Sequence, residues 1–389
     1  MAGQASLSRA GLALLLAVGA PLTLGGCGNL GYYAHLLGGQ VQVLRAREAI
    51  SDVVSDPQRD ARLRERLALV AEARVFAVDA LGLPDGRSYT SYVELDRPYV
   101  LWNVFAAPEF SLQAHQWCYL FYGCFSYRGY YEQARAEQKA AALAARGLDV
   151  HVGGVSAYST LGWFSDPVLS SMMHWDDAML IGTVFHELAH ELFYIRDDTA
   201  FNESFATFVE EEGLRQWSAA RGETLPDRSQ GRMRHAGFVA LVRGAREDLQ
   251  TLYAQTLPEE EMRARKAERI ESLRMEYRRM RDEAWGGWSG YDRWFESPIN
   301  NAKLLPVGLY HQWVPAFEAL YAELDGNWPA FYAEVAVIGG LSTDARLKRL
   351  QTHQAFLIGL QVVAPHQFGF FSVNADGTAN SLAVAGRRV

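Results

Sequence analysis

Apolar residues recur along this chain at two periods, and the places where the period changes outline its organisation. From Val43 to Gly82, "VLRAREAISDVVSDPQRDARLRERLALVAEARVFAVDALG" alternates apolar and charged residues at helical spacing. Pro57 predicts a break there between two helices. "SYVELDRPYVLWNVFAAPEF", Ser91 to Phe110, is rich in Tyr, Val, Trp and Phe and punctuated by prolines, which predicts two strands. "YEQARAEQKAAALAARG" then reads as a helix ending at Gly147, and "LDVHVGGVSAYST" returns to strand character. From Asp176 onward nearly everything is helical, including the mixed-charge run from Pro258 to Trp285, whose i,i+4 pairs predict a solvated face.

The expected fold class is therefore α+β, predominantly helical, with a small sheet preceding the helix that begins near Asp176. No repeat, low-complexity tract or linker interrupts the pattern, so a single domain over residues 40–389 is expected, with a core at about 150–215 and a helical remainder at 216–375.

The first residues follow a different rule. Arg9 is the only early charge, and the apolar run "GLALLLAVGAPLTL" that follows is too short, and too broken by Gly19 and Pro21, to span a bilayer comfortably. Leu24-Gly25-Gly26-Cys27 looks like a bacterial lipobox. Residues 1–26 are then a removable signal, Cys27 is the lipidated residue, and residues 27–39 form a short tether with apolar docking residues. An ordinary secretory signal with a chance cysteine is the alternative. Gly28 after the cysteine resembles the signal for transfer to the outer membrane, so a periplasmic, lipid-anchored location is expected.

Composition narrows the function. The chain of 389 residues is 49% hydrophobic, ample for a large core, and its formal charge of -8 offers no basic field for nucleic acid. With Cys27 acylated, Cys118 and Cys124 remain. An oxidising compartment favours a disulfide between them, the alternative being two reduced, buried thiols.

The chemistry is concentrated in "TVFHELAHELF", Thr183 to Phe193. On a helix, Leu180, Val184, Leu188 and Leu192 make an apolar stripe, and His186 and His190 lie one turn apart on another face. Two imidazoles so placed can converge on one ion, with Glu187 beside them to reach a bound water. Glu203 follows in "DDTAFNESFATFVEEEG", a second helix that Asp198 or Thr199 can cap and Gly213 can end. Glu203, Thr207 and Glu210 share one face of it. A carboxylate there would complete a His2Glu tripod with one open position, the catalytic arrangement for zinc.

H-E-L-A-H followed by N-E-S-F-A-T-F-V-E resembles the zinc signature of gluzincin peptidases, whose aminopeptidase branch reads N-E-G-F-A-[ST]-x-x-E. Together with "CFSYRGYYEQA" and "VGGVSAYSTLGWFSDPVLSSMMHWDDA", the chain is similar to a bacterial family of predicted zinc aminopeptidases, many of them predicted lipoproteins. The resemblance implies a zincin fold, zinc ligands His186, His190 and Glu203, and Glu187 as general base. It places Thr207 and Asn202 behind the ligands, Thr207 at the position of a hydroxyl that orients a ligand imidazole. Two departures stand out: the spacing from His190 to Glu203 is shorter than in the best-known aminopeptidase gluzincins, and their G-x-M-E-N stretch is absent. "VGGVSAYST" occupies a comparable place, so Gly153, Gly154 and Val155 are candidates for an edge strand that takes an extended substrate. Gluzincins add a tyrosine or histidine that bonds the oxyanion. Tyr310, in "NNAKLLPVGLYHQWVPAFE", is the candidate, with Tyr127 and Arg128 as alternatives.

The function expected is a zinc-dependent peptidase, an aminopeptidase first, working on peptides with a metal-activated water. An endopeptidase or a cell-wall peptide hydrolase is the alternative within the same chemistry. A non-catalytic assembly lipoprotein with a structural metal is the alternative outside it, although such a site needs no base at Glu187.

Overall fold

The computed structural model describes residues 31–119, 123–160, 164–196, 198–223, 229–307 and 313–363; Cys27 and Tyr310 lie outside them. Residues 31–45 are helical (α1). They are followed by β1 (Glu48–Ala49), α2 (Ile50–Ser55), α3 (Ala61–Asp79), β2 (Ser91–Val93), β3 (Leu101–Pro108), β4 (Trp117–Tyr119), β5 (Gly123–Phe125) and β6 (Tyr127–Tyr130). Next come α4 (Gln133–Ala144), β7 (Leu148–Val155), β8 (Val168–Leu169), α5 (Asp177–Leu192) and α6 (Thr199–Ala220). Seven further α-helices follow among the described residues: α7 (Ser229–Tyr253), α8 (Glu259–Arg279), α9 (Asp292–Glu296), α10 (Asn301–Leu304), α11 (Val314–Glu323), α12 (Trp328–Gly339) and α13 (Thr343–Val363). The architecture is α+β and mostly helical. Among the described residues every strand precedes α5, distributed over three small sheets.

The described chain divides into two compact units, each assembled from separate stretches of sequence. The first takes its described residues from 31–74, 86–181 and 222–307. Its largest sheet has the order β6-β3-β7, antiparallel throughout. Alternation along β3 turns Trp102, Val104 and Ala106 inward, where Ala136, Ala140 and Leu143 of α4 meet them. A second sheet, β1-β2-β8, pairs Tyr92 in parallel with Val168. The hairpin β4-β5 sets Cys118 opposite Cys124, and a disulfide joins them. Helices α7 and α8 bury Val242, Leu249, Leu273 and Tyr277 in their own cluster. The charges of α8 form surface pairs such as Arg265 with Glu261 at 2.6 Å.

Helix α1 takes in most of the stretch expected to be a tether. It is helical because its apolar residues have a wall to pack on: Tyr32 and His35 are buried, the Tyr32 hydroxyl donates to the Gly129 carbonyl at 3.0 Å, and His35 accepts from the Tyr131 N–H at 3.1 Å.

The second unit takes its described residues from 75–85, 182–221 and 313–363. Its core is aromatic. Phe201 and Phe205 of α6 meet Phe317 of α11 at ring distances of 5.1 and 5.9 Å, and Phe208 meets Phe331 of α12 at 5.0 Å. Helix α6 does not end at Gly213 but runs on to Ala220. A β-carbon at residue 213 would lie 2.8 Å from Leu81 and 2.9 Å from Phe185. The glycine there serves close packing within the helix rather than helix termination.

Candidate metal centre

Helix α5 holds its histidines by burying the opposite side: Leu180, Val184, Phe185, Leu188 and Ala189 are all inaccessible. A full turn apart, His186 and His190 bring their Nε2 atoms to 3.2 Å from each other. Helix α6 supplies the third group. The N-cap Asp198 accepts from the Phe201 N–H at 3.1 Å and pairs with Arg346 of α13, fixing where the helix starts. Asn202 then locks the connection from α5: its Oδ1 accepts from the Ile195 N–H at 2.8 Å, and its Nδ2 donates to the Ile195 carbonyl at 2.7 Å. Glu203, the next residue, is thereby delivered to the histidines. One of its oxygens lies 3.4 Å from His186 Nε2 and the other 3.6 Å from His190 Nε2.

These three residues form a group whose ligating atoms all lie within 4.8 Å of one another. Two donors bound to one tetrahedral zinc-sized ion, at about 2.0–2.1 Å from it, are separated by roughly 3.3 Å. The two Nε2 atoms, 3.2 Å apart, match that spacing, and each faces its own oxygen of Glu203, at 3.4 and 3.6 Å. The chemistry fits too, since two imidazole nitrogens and a carboxylate suit a borderline divalent cation. This group can hold a metal ion.

Electrostatics tie the donors together. Burial pushes the His186 pKa down, but its contacts with Glu203 and Glu210 and the charge of Glu187 outweigh that and raise it to about 10. For Glu203, burial acts upward and the two histidines more strongly downward, leaving it at about 2. The carboxylate is thus ionised over the whole working range of a protein.

Behind the ligands, the group that meets His186 is Glu210, one oxygen of which stands 3.3 Å from Nδ1. Glu210 lies on the same face of α6 as Glu203 and Thr207, yet the sequence suggests only a hydroxyl at Thr207 for this task. Room for the Glu210 carboxylate comes from α5, where a β-carbon at Gly182 would stand 2.8 Å from its Oε1. The other ligand differs: His190 Nδ1 is buried with no hydrogen-bond partner, and the Tyr194 ring meets the imidazole at 6.1 Å. Glu187, half-buried, sits beside His186 on α5.

The remaining described candidates belong to the first unit. Gly153, Gly154 and Val155 belong to β7, the outer strand of its sheet, where they face Asn103, Trp102 and Leu101 of β3. Tyr127 and Arg128 lie in β6, with the Arg128 guanidinium 3.7 Å above the Tyr32 ring.

A family model described as "Putative aminopeptidase" matches residues 31–350. No curated protein and no solved structure matches the chain.

Proposed function

This chain belongs to that aminopeptidase family, and on that premise we propose that it is a zinc-dependent peptidase whose ion is held by His186, His190 and Glu203. The observation that carries the reading is the convergence of His186, His190 and Glu203, whose ligating atoms lie within 4.8 Å of one another, with Glu187 next to His186 in sequence. The ion, when bound, supplies a Lewis acid that polarises the scissile carbonyl and acidifies water. Glu187 takes the proton of the attacking water and returns it to the leaving amine. Glu210 holds the His186 ring in one tautomer, with Nδ1–H outward and the Nε2 lone pair toward the ligand point. Glu203 stays ionised because both imidazoles stabilise its charge.

We place removal of amino-terminal residues first among peptidase activities because that is what the family is named for. The motif reading adds Tyr310 as the group facing the oxyanion. Lipidation at Cys27 and residence in the periplasm are part of the same proposal. The Leu24–Cys27 motif supports them, as does the Cys118–Cys124 disulfide, which suits an oxidising compartment.

The test uses the full chain: metal content of the purified protein, then turnover of peptides with free and with blocked amino termini. Zinc near one per chain, with cleavage only of free-amine peptides, is the expected result. Cleavage of blocked peptides transfers the reading to an endopeptidase. Full zinc occupancy after His186→Ala or Glu203→Ala overturns the ligand assignment.

A further inference from the structure

Helix α1 is apolar on two sides. One side is buried and carries Tyr32, His35 and Val43. The other presents Tyr33 and Leu37, 38% and 67% exposed and one turn apart. A helix on a soluble surface ordinarily shows charge there, but no Asp, Glu, Lys or Arg occurs between Arg9 and Arg45.

Tyr33 begins a run of touching rings. It meets Tyr119 at 6.0 Å, Tyr119 meets Phe125 at 5.9 Å, Phe125 meets Tyr127 at 6.2 Å, and Tyr127 meets Phe105 at 5.8 Å. Phe125 and Tyr127 are 39% and 41% exposed. The disulfide between Cys118 and Cys124 braces the hairpin that carries Tyr119 and Phe125, an element too small to be stable alone. Stretches far apart in sequence thus build one aromatic surface, and contiguous apolar surface of this kind marks a place of contact.

The chain itself indicates what covers it. Between Cys27 and Gly31 lie only residues 28–30, so four residue steps separate the thiol from α1, a reach of at most about 14 Å. We propose that this face rests on the lipid bilayer, with Tyr33, Leu37, Phe125 and Tyr127 entering the boundary between headgroups and acyl chains. The proposal rests on the reading that Cys27 is lipidated, and adds a second contact that sets how the protein lies on the membrane. Tyrosine suits that depth, with an apolar body and a polar tip. Arg128, stacked on Tyr32, puts a cation beside the aromatic run that suits anionic headgroups. Among the described residues no helix is long and apolar enough to cross a membrane, so the contact is one of lying on the surface rather than spanning it.

The experiment uses the full chain expressed in a bacterium, with a photoreactive phenylalanine analogue placed in turn at Leu37, Phe125 and, as a control, Val337 on α12, which is 59% exposed. Membranes are irradiated and the labelled peptides weighed, together with the N-terminal peptide. Lipid adducts at positions 37 and 125, with none at 337, are expected. Adducts at 37 and 125 only to protein, including residues 1–26 of an uncleaved chain, overturn the proposal. An acylated Cys27 without lipid adducts at 37 and 125 rejects the docking face and leaves the anchor standing. An unacylated Cys27 rejects the anchor, and with it the bilayer as occupant.

Discussion

Lys266 and His186 both carry charge into the interior of their units, and their surroundings are built on different rules. Around Lys266 every strong group meets its complement. The ammonium donates to Asp149 at 2.6 Å and to the Glu109 carbonyl at 2.8 Å. Asn301 donates its N–H to the same Asp149 oxygen at 2.9 Å, spreads its amide over the carbonyls of Pro108, Glu109 and Ser111, and accepts from Tyr253 at 2.9 Å. Around His186 the pairing is incomplete: Glu203 and Glu210 face its two nitrogens at 3.4 and 3.3 Å, yet two imidazole nitrogens stand 3.2 Å apart, and His190 Nδ1 has no partner. Buried polar groups that pair off hold a fold together, whereas buried donors that converge on one point are poised for something not of the chain. The comparison separates the two kinds of cluster without reference to any motif.

Four substitutions or conditions put that contrast under strain. The largest effect is expected from Glu187→Gln, which keeps the proposed ligands but removes the proposed base. Peptide turnover should fall by about 10²–10⁴-fold while metal content, read by mass spectrometry, is unchanged. Retained turnover would remove Glu187 from the mechanism. Next, Lys266→Met leaves the partly buried Asp149 without its cation and should cost up to about 3 kcal/mol in denaturant unfolding, with no loss of metal per folded chain. If metal binding falls in proportion, the two clusters are not independent. Glu210→Gln should weaken metal binding by about 10–100-fold in chelator competition, because the outer partner of His186 loses its charge.

The smallest effect is in pH. In metal-stripped protein the raised His186 pKa contributes stability that is complete below 6.5 and lost as pH rises through about 10. The lowered Glu203 pKa contributes stability complete above 4.5 and lost as pH falls through about 2. The shared contribution is therefore full between 4.5 and 6.5. An ion bound at His186 would displace its proton, so affinity should also rise with pH from 6.5 toward 10. A flat profile would mean that His186 binds no proton that the ion must replace.

Local pattern carried much of this into view. The break at Pro57, the strands β2, β3 and β7, the cap at Asp198 and the pairing of two helices through Glu203 are all features in which neighbours in sequence are neighbours in space. What depends on packing between distant stretches was not legible. Gly213 reads as a helix stop because glycine usually is one, and only the nearness of Leu81 and Phe185 reveals its other use. Glu210 lies on the correct face of α6, but its distance to His186 is a property of two helices together. Residues 31–44 contain no Asp, Glu, Lys or Arg and include paired glycines, so they resemble a tether until the wall formed by Gly129 and Tyr131 is in place. The parallel pairing of Tyr92 with Val168 has no local signal at all.

The carboxyl-terminal part of the chain also reaches the chemistry. Arg346 of α13 grips Asp198 and, through the carbonyls of Gly339 and Leu341 at 3.1 and 3.0 Å, fastens the end of α12 to the start of α6. A protein shortened before that arginine would retain every ligand and its base in its sequence. It would have lost the clasp that sets the depth at which Glu203 is presented, so on the proposed reading the tail is a silent partner in holding the ion.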